Sequence, residues 1–261
     1  MILIRGAGDI ASGIALRLYR SGLTLAMTEL ERPTSIRRTV CFSEAVIHGI
    51  CCVEGVTAEK AASREDAKLI WQRGHFPVFA DGEGSVLSLL RPDAVVDARL
   101  AKVNLDTSIS DAPIVVAVGP GFTAGKDCHA VVETQRGHYL GRAIYEGSAA
   151  PNTGVPGNIG GYTVERIIRA PKAGVFHPVR SIGDQVAAGE TVAYVDDEPV
   201  TCQIGGTLRG ILPEGTAVYA GMKSGDVDPR CRPEHCLCVS DKALSVGGGV
   251  LEALLHLGYR E

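Results

Sequence analysis

A short apolar run, Ile2 to Arg5, passes directly into Gly6-Ala7-Gly8-Asp9-Ile10-Ala11, and an apolar-periodic stretch with Ile14, Ala15 and Leu18 follows as far as Ser21-Gly22. Strand, glycine turn and helix in that order confine the opening of the chain to a βα start. In this setting G-x-G-x-x-A is the phosphate fingerprint of doubly wound folds: Gly6 permits the turn, Gly8 lets a pyrophosphate approach the backbone, and Ala11 lets the helix sit close on the strand. The next apolar run, Thr24 to Thr28, ends at Glu29, near where an acid holds a ribose 2′-hydroxyl, about 20 residues along. NAD(P) is therefore one expected cofactor, and an NAD(P)-dependent oxidoreductase one functional alternative. Two details weigh against it. Asp9 lies inside the loop, where it repels a diphosphate unless it turns away, and Arg32, Arg37 and Arg38 suit a 2′-phosphate or a substrate equally well.

Strand-like and helix-like stretches then alternate. Phe42 to His48 reads as helix, Ile50 to Val53 as an apolar run with vicinal, buried Cys51 and Cys52, and Glu59 to Trp71 as helix through Ala62, Ala67, Leu69 and Ile70. Phe76 to Ala80, Ala94 to Asp97, Ile114 to Val118 and Ala130 to Thr134 read as further strands. The alternation predicts a Rossmann-like, mostly parallel α/β domain over 1–168, with ligands collected beyond the carboxyl ends of its strands.

The richest chemistry lies between Val115 and Gly161. The strand ending at Val118 breaks into Gly119-Pro120-Gly121-Phe122-Thr123-Ala124-Gly125, and a glycine loop after a strand offers backbone N–H groups as an anion-binding nest. Lys126, Cys128, His129, Glu133 and His138 follow as candidate catalytic residues, with Gly119, Gly121, Gly125, Arg136 and Arg142 as candidates for holding an anionic small molecule. A nearby Lys126 or protonated His129 would lower the pKa of Cys128 and expose a reactive thiolate. Any one Cys or His is as often a core residue as a functional one, so the density carries the expectation, and oxyanion binding, metal ligation and thiol chemistry all stay open.

Beyond residue 168 the pattern changes to short strands and glycine turns, with an internal repeat. At an offset of thirty-two residues Gly174, Phe176, Val179, Gly183, Val186, Ala188 and Gly189 meet Gly206, Leu208, Ile211, Gly215, Val218, Ala220 and Gly221. This resembles the barrel-sandwich hybrid of biotinyl and lipoyl carrier domains and predicts a small all-β domain over 169–230. Its hairpin, near Val195 to Val200, has no lysine, so no covalent biotin or lipoate is expected. In the remaining 231–261, Cys231, His235, Cys236 and Cys238 offer ligands to a thiophilic metal without the second C-x₂-C pair of a zinc ribbon. Ser240 caps a helix from Lys242 to Leu257 that packs back on the α/β domain. Gly247-Gly248-Gly249 weakens it and points to close backbone packing or an approaching ligand.

At 261 residues and 45% hydrophobic, the chain can bury more than one core. The net charge of −4, with no basic stripe, argues against a nucleic-acid partner. No apolar run is long enough to span a membrane. The opening leaves no room for a secretory leader, and eight irregularly spaced cysteines suit a reducing compartment, so a cytoplasmic location is expected.

Six longer stretches carry a family resemblance: GAGDIASG from Gly6, DARLAKVN from Asp97, VGPGFTAGKDCHAVVETQRGHYLGR from Val118, GSAAPNTGVPG from Gly147, KSGDVDPR from Lys223 and SDKALSVGGGVLEALL from Ser240. On these the chain resembles the selenium-dependent molybdenum hydroxylase system proteins of the YqeB type, which are distantly similar to xanthine dehydrogenase accessory proteins. The resemblance implies an accessory protein in the maturation of selenium-dependent molybdenum hydroxylases. Its cofactor would be a molybdopterin-type compound or its selenium or oxyanion precursor, and its partner the hydroxylase apoprotein. A non-catalytic docking protein for that hydroxylase is the further alternative. Cys231 and Cys238 depart from the family pattern.

Overall fold

The computed structural model describes residues 1–261, in two compact units. The first comprises Met1–Pro33, Cys41–Thr153 and Val239–Glu261, the second Thr34–Val40 and Gly154–Cys238.

The first unit is built on β1 (Ile2–Arg5), α1 (Asp9–Arg20), β2 (Leu25–Glu29), α2 (Glu44–His48), β3 (Ile50–Val53), β4 (Val56–Ala61), α3 (Arg64–Gln72), β5 (Phe76–Ala80), α4 (Ser85–Leu90), β6 (Ala94–Asp97), β7 (Ile114–Val118), β8 (Ala130–Val132) and β9 (Ala143–Ile144). These strands form one sheet in the order β3-β4-β5-β2-β1-β6-β7-β8-β9. Its central strands are buried on both faces, which is why β1, β6 and β7 read as unbroken apolar runs rather than alternating ones. Two apolar clusters form part of its core. One gathers Leu3, Ala26, Ala67, Ile70 and Phe79, the other Val95, Val115, Ala117, Phe122 and Val131.

The topology corrects the expectation of a Rossmann-like domain. The sheet is mixed: β3 pairs antiparallel with β4 at one edge, and β9 antiparallel with β8 at the other. The connections from β6 to β7 and from β7 to β8 contain no helix. After β6 the chain takes left-handed backbone at Leu100 and Lys102, a conformation that ends regular structure. After β7 the glycine segment folds back over the sheet, burying Phe122 and Ala124 against Val115, Ala117 and Val131, so the face that a crossover helix would cover is already filled.

The stretch expected as one helix from Glu59 to Trp71 is divided between β4 and α3. Ser63 and Asp66 form a reciprocal capping box that starts α3, each side chain accepting from the other's backbone N–H. The final helix, α5 (Asp241–His256), packs along α1. Gly13 makes this possible, since a Cβ there would stand 2.5 Å from that of Ala243. No helix is long and apolar enough to cross a membrane.

The second unit contains β10 (Ile167–Arg169), β11 (Gly174–Pro178), β12 (Gln185–Val186), β13 (Thr191–Val195), β14 (Glu198–Thr201), β15 (Gly206–Ile211), β16 (Thr216–Val218) and β17 (Lys223–Asp228). They make two four-stranded antiparallel sheets, β10-β17-β15-β12 and β14-β13-β11-β16, around Phe176, Val192, Leu208 and Val227. This replaces the expected self-contained biotinyl/lipoyl-like hybrid over 169–230. The unit begins at Gly154 and takes in Thr34–Val40, whose Ile36 carbonyl accepts from Ile211 N–H at 2.8 Å against the bare face of Gly210. The β13–β14 hairpin turns at Asp196-Asp197, and Lys172 reaches Asp197 at 2.6 Å.

Candidate functional site

The carboxyl ends of the parallel strands bring together the loops after β1, β2, β6, β7 and β8. At the first of these, Gly6 has a left-handed φ of 101°, and a Cβ would stand 3.1 Å from the Ala98 carbonyl oxygen. Gly8 caps α1 with its backbone only, and Ala11 is buried on the helix face turned to the core. Glu29 does not wait at the end of β2 for a ribose. Its Oε2 accepts from Ala7 N–H at 2.9 Å and its Oε1 from Leu30 N–H at 2.8 Å. Burial pushes its carboxyl up, and those two N–H groups hold it back. The chain's own carboxylate thus sits on the glycine loop, and the Ala7 carbonyl is taken by Ser43 N–H and the Ser12 hydroxyl. The expected nucleotide-binding site is corrected accordingly: the acid meant for the sugar occupies the loop meant for the phosphates.

The central segment is divided between two edges of the sheet. Cys128 and His129 precede β8, whereas Glu133 follows it, and four residues of extended chain separate His129 from Glu133 by about 13 Å of strand. Cys128 is fully buried among Val95, Val115, Ala117 and Val131, and burial, then the charge of Asp127, pushes its thiol up to about 12. An activated thiolate there is overturned. His129 Nδ1 accepts from Val115 N–H at 3.0 Å, and Lys126 is exposed. The glycine loop is not an open nest either. Gly119 N–H donates to Val132, Gly125 N–H to Cys128, and Thr123 N–H to the Asp127 carboxylate. Gly121 lies against Val103, whose Cα would be 2.6 Å from a Cβ. Glu133 staples two turns, accepting from Gln135 and Ala150 N–H groups, both at 2.7 Å. His138 and Arg142 lie exposed on either side of Tyr139, with the Arg142 guanidinium 4.7 Å from the ring centre.

Sequence reasoning missed two lysines at the carboxyl edge. Lys102 follows β6 on left-handed backbone, next to the Val103 that Gly121 packs against. Lys242 is the second residue of α5, and the neighbouring Asp241 is taken by Arg136 in a bidentate pair at 2.7 and 2.8 Å. Burial pulls the Lys242 ammonium down, Lys102 and Arg136 pull the same way, and Asp9 and Glu133 oppose them. A signal was present: a lysine two residues behind the helix cap Ser240 sits at the end of the helix that repels cations.

No protein-family model matches the chain. Over 257 residues it is 52% identical to "Uncharacterized protein YqeB" of Escherichia coli (strain K12), an alignment covering 98% of this chain and 48% of that protein. This supports a YqeB-type family. The chain spans about half the length of this curated relative. Among solved structures it is similar to a succinylglutamatedesuccinylase/aspartoacylase from Rhodobacter sphaeroides, at 16% identity and a TM-score of 0.24 over 54% of this chain and 59% of that one. A second is an aspartoacylase family protein from Mesorhizobium loti, at 13% identity and a TM-score of 0.27 over 88% and 86%. Both likenesses are too loose to bear on the site.

The C-terminal cysteines of the second unit do not assemble. Cys236 is buried with its thiol toward the Leu208 carbonyl, Cys231 and Cys238 are exposed, and no group of three or more His, Cys, Asp or Glu is arranged to hold a metal ion. His235 instead faces Asp228, part of a buried cluster in which Asp226 receives Arg166 at 2.7 Å and Arg209 Nε at 2.7 Å, while Arg230 takes Asp228 through two nitrogens.

Proposed function

We propose that the chain is an accessory protein that binds a small anionic compound at the carboxyl edge of its mixed sheet and uses it in maturing a partner enzyme. The family resemblance names that partner as a selenium-dependent molybdenum hydroxylase. The observation that carries the reading is the place of Lys242, partly buried in the first turn of α5 and set beside the start of α1 by the Ala243–Gly13 contact, at the end of a helix that disfavours a cation. A bound anion relieves that repulsion. Glu133 is spent on backbone N–H groups and Asp241 on Arg136.

Calorimetric titration with inorganic phosphate and sulfate tests the anion site. Binding should weaken at least about tenfold in Lys102→Ala and Lys242→Ala, the scale of one lost charge-assisted contact. Heat unchanged by both substitutions, or no binding at millimolar anion, refutes it. The maturation role is tested separately, by hydroxylase activity in a deletion strain complemented with the parental chain or Lys242→Ala.

A further inference from the structure

Arg166, just ahead of β10, lies in the buried ionic cluster of the second unit with its side chain 4% exposed and its hydrogen bonding unfinished. Its Nη2 donates to Asp226 Oδ1 at 2.7 Å and its Nη1 to the Gly157 carbonyl at 3.1 Å, while the buried Nε has no partner. Nε and Nη2 form one edge of the planar guanidinium, the edge that suits two oxygens of one anion. Arg230 uses that edge in full on Asp228, and Arg99 does the same on Asp97. Arg166 does not, because the second oxygen of Asp226 is taken by Arg209 Nε at 2.7 Å. Two guanidinium groups thus share one carboxylate. Burial pulls the Arg166 guanidinium down, Asp226 opposes this, and Arg209 adds to it. A buried, charged donor left unmet is costly, and a negatively charged acceptor is what the edge lacks.

The cover over Arg166 is the segment 154–161, which holds it through the Gly157 carbonyl. Gly154, Gly160 and Gly161 of this segment take left-handed φ of 70°, 61° and 90°. It meets the cluster again at Pro229, whose Cγ would stand 3.2 Å from a Cβ on Gly160, between Asp228 and Arg230. We propose that Arg166 is the base of an oxyanion site in the second unit, where a phosphate-type group accepts from the Nε–H beneath the 154–161 segment. The neighbouring carboxylate selects the ion. Asp226 Oδ1 takes only the Arg166 bond, so it has a lone pair left for a donor. Hydrogen phosphate carries an O–H at neutral pH and donates it there, whereas sulfate carries none and meets only repulsion. This site is independent of the anion-binding reading at Lys242, which lies in the first unit.

The experiment titrates the intact chain carrying Lys242→Ala, so that an anion held at Lys242 does not contribute, with inorganic phosphate and with sulfate by calorimetry. Phosphate should bind, sulfate should bind at least about tenfold more weakly, and Arg166→Lys added to the same chain should weaken phosphate at least about tenfold, the scale of one charge-assisted contact. Lysine keeps the charge beside Asp226, and a melting curve reports whether that variant folds. Crystals of the parental chain grown with arsenate, a protonated stand-in for phosphate, locate the ion with no substitution at all: anomalous scattering from arsenic should lie where its oxygens reach Arg166 Nε. No phosphate heat in the Lys242→Ala chain, sulfate bound as tightly as phosphate, or no arsenic at Arg166 overturns the inference. Glycerol phosphate is the second arm: competition with phosphate assigns the site to a phosphoryl group on a small molecule, and no competition assigns it to the free ion. Phosphate binding present in the parental chain and lost entirely in Lys242→Ala would keep the first-unit site and discard this one.

Discussion

The three successive glycines of α5 face three different surroundings, and alanine at each should have a different effect on stability. A Cβ on Gly248 meets nothing within 4 Å, so Gly248→Ala gains helix propensity without a clash, about 1 kcal/mol of added stability. A Cβ on Gly249 would stand 2.0 Å from the Gly141 carbonyl oxygen and 2.9 Å from Val132 Cγ1. The first of these is backbone and cannot swing aside. Gly141 is itself pinned, with left-handed φ and room for no Cβ against the Ser245 carbonyl. Overpacking of this kind costs about 1–3 kcal/mol, and where main chain must move the upper end applies, so Gly249→Ala should lose about 2 kcal/mol net of its propensity gain. Gly247, 3.0 Å from the Gly13 oxygen, falls between the two. Urea denaturation followed by the fluorescence of Trp71, the single tryptophan, reads the first unit directly. The midpoint should rise for Gly248→Ala and fall for Gly249→Ala at unchanged slope. If Gly248→Ala lowers the midpoint as much as Gly249→Ala does, the glycines do not serve packing, and a ligand lying along α5 becomes the reason for them.

Thiol reagents should separate the cysteines by burial: in the native protein Cys52, Cys231 and Cys238 react readily, while Cys51 and Cys128, both pushed up to about 12 chiefly by burial, react only on unfolding. Cys128→Ser should lower the melting temperature, because a hydroxyl placed among Val115, Ala117 and Val131 costs about 1–3 kcal/mol, and whatever folds should keep its anion affinity. Rapid labelling of Cys128 at neutral pH would restore the thiol to the site. For Asp228, burial pushes the carboxyl up, but the Arg230 side chain and backbone together with Arg209 outweigh it and leave it well below the usual carboxylate range. Its folded pKa is depressed, so its contribution is complete above about pH 4 and fades as pH falls from there toward the folded value. Asp228→Asn should cost about 3–5 kcal/mol at neutral pH and flatten that acid limb, as seen by urea midpoints across pH.

The parts of the fold that could be read in advance are those with a local cause. The runs that became β1, β5, β6 and β7 are apolar because both faces of the sheet are covered, and Ser240 announced α5 through its hydroxyl on Ala243 N–H. The β4 strand was misread because Val56 to Ala61 carries alanines and charged residues that suit a helix as well. Its pairing with β3 on one side and β5 on the other decides the matter, and that is a contact between distant residues. The site failed for a related reason. Cys128, His129 and Glu133 are neighbours in sequence, but an extended strand carries Glu133 to the opposite end from the other two, whereas Arg136 and Asp241 meet only when β8 and α5 are in place. Glu29 was read as an acid for a ribose; what could not be foreseen was that its carboxylate would close on an N–H group of the first glycine loop.

The duplicated strands of the second unit raise a question of assembly. The first four, β10 to β13, and the second four, β14 to β17, share one pattern of glycines and apolar residues, and each sheet draws two strands from each set. Two such similar halves could exchange places within one molecule or between two during folding. Their polar residues forbid it. Asp226 of β17 corresponds to Tyr194 of β13, and Asp228 to Asp196; the β17 pair is buried, while Tyr194 and Asp196 face water. In a chain with its halves interchanged, His177 and Tyr194 would take the buried places of Arg209 and Asp226. The buried ionic cluster therefore works as an address written on one half only, so that a nearly symmetric sequence has one way to close.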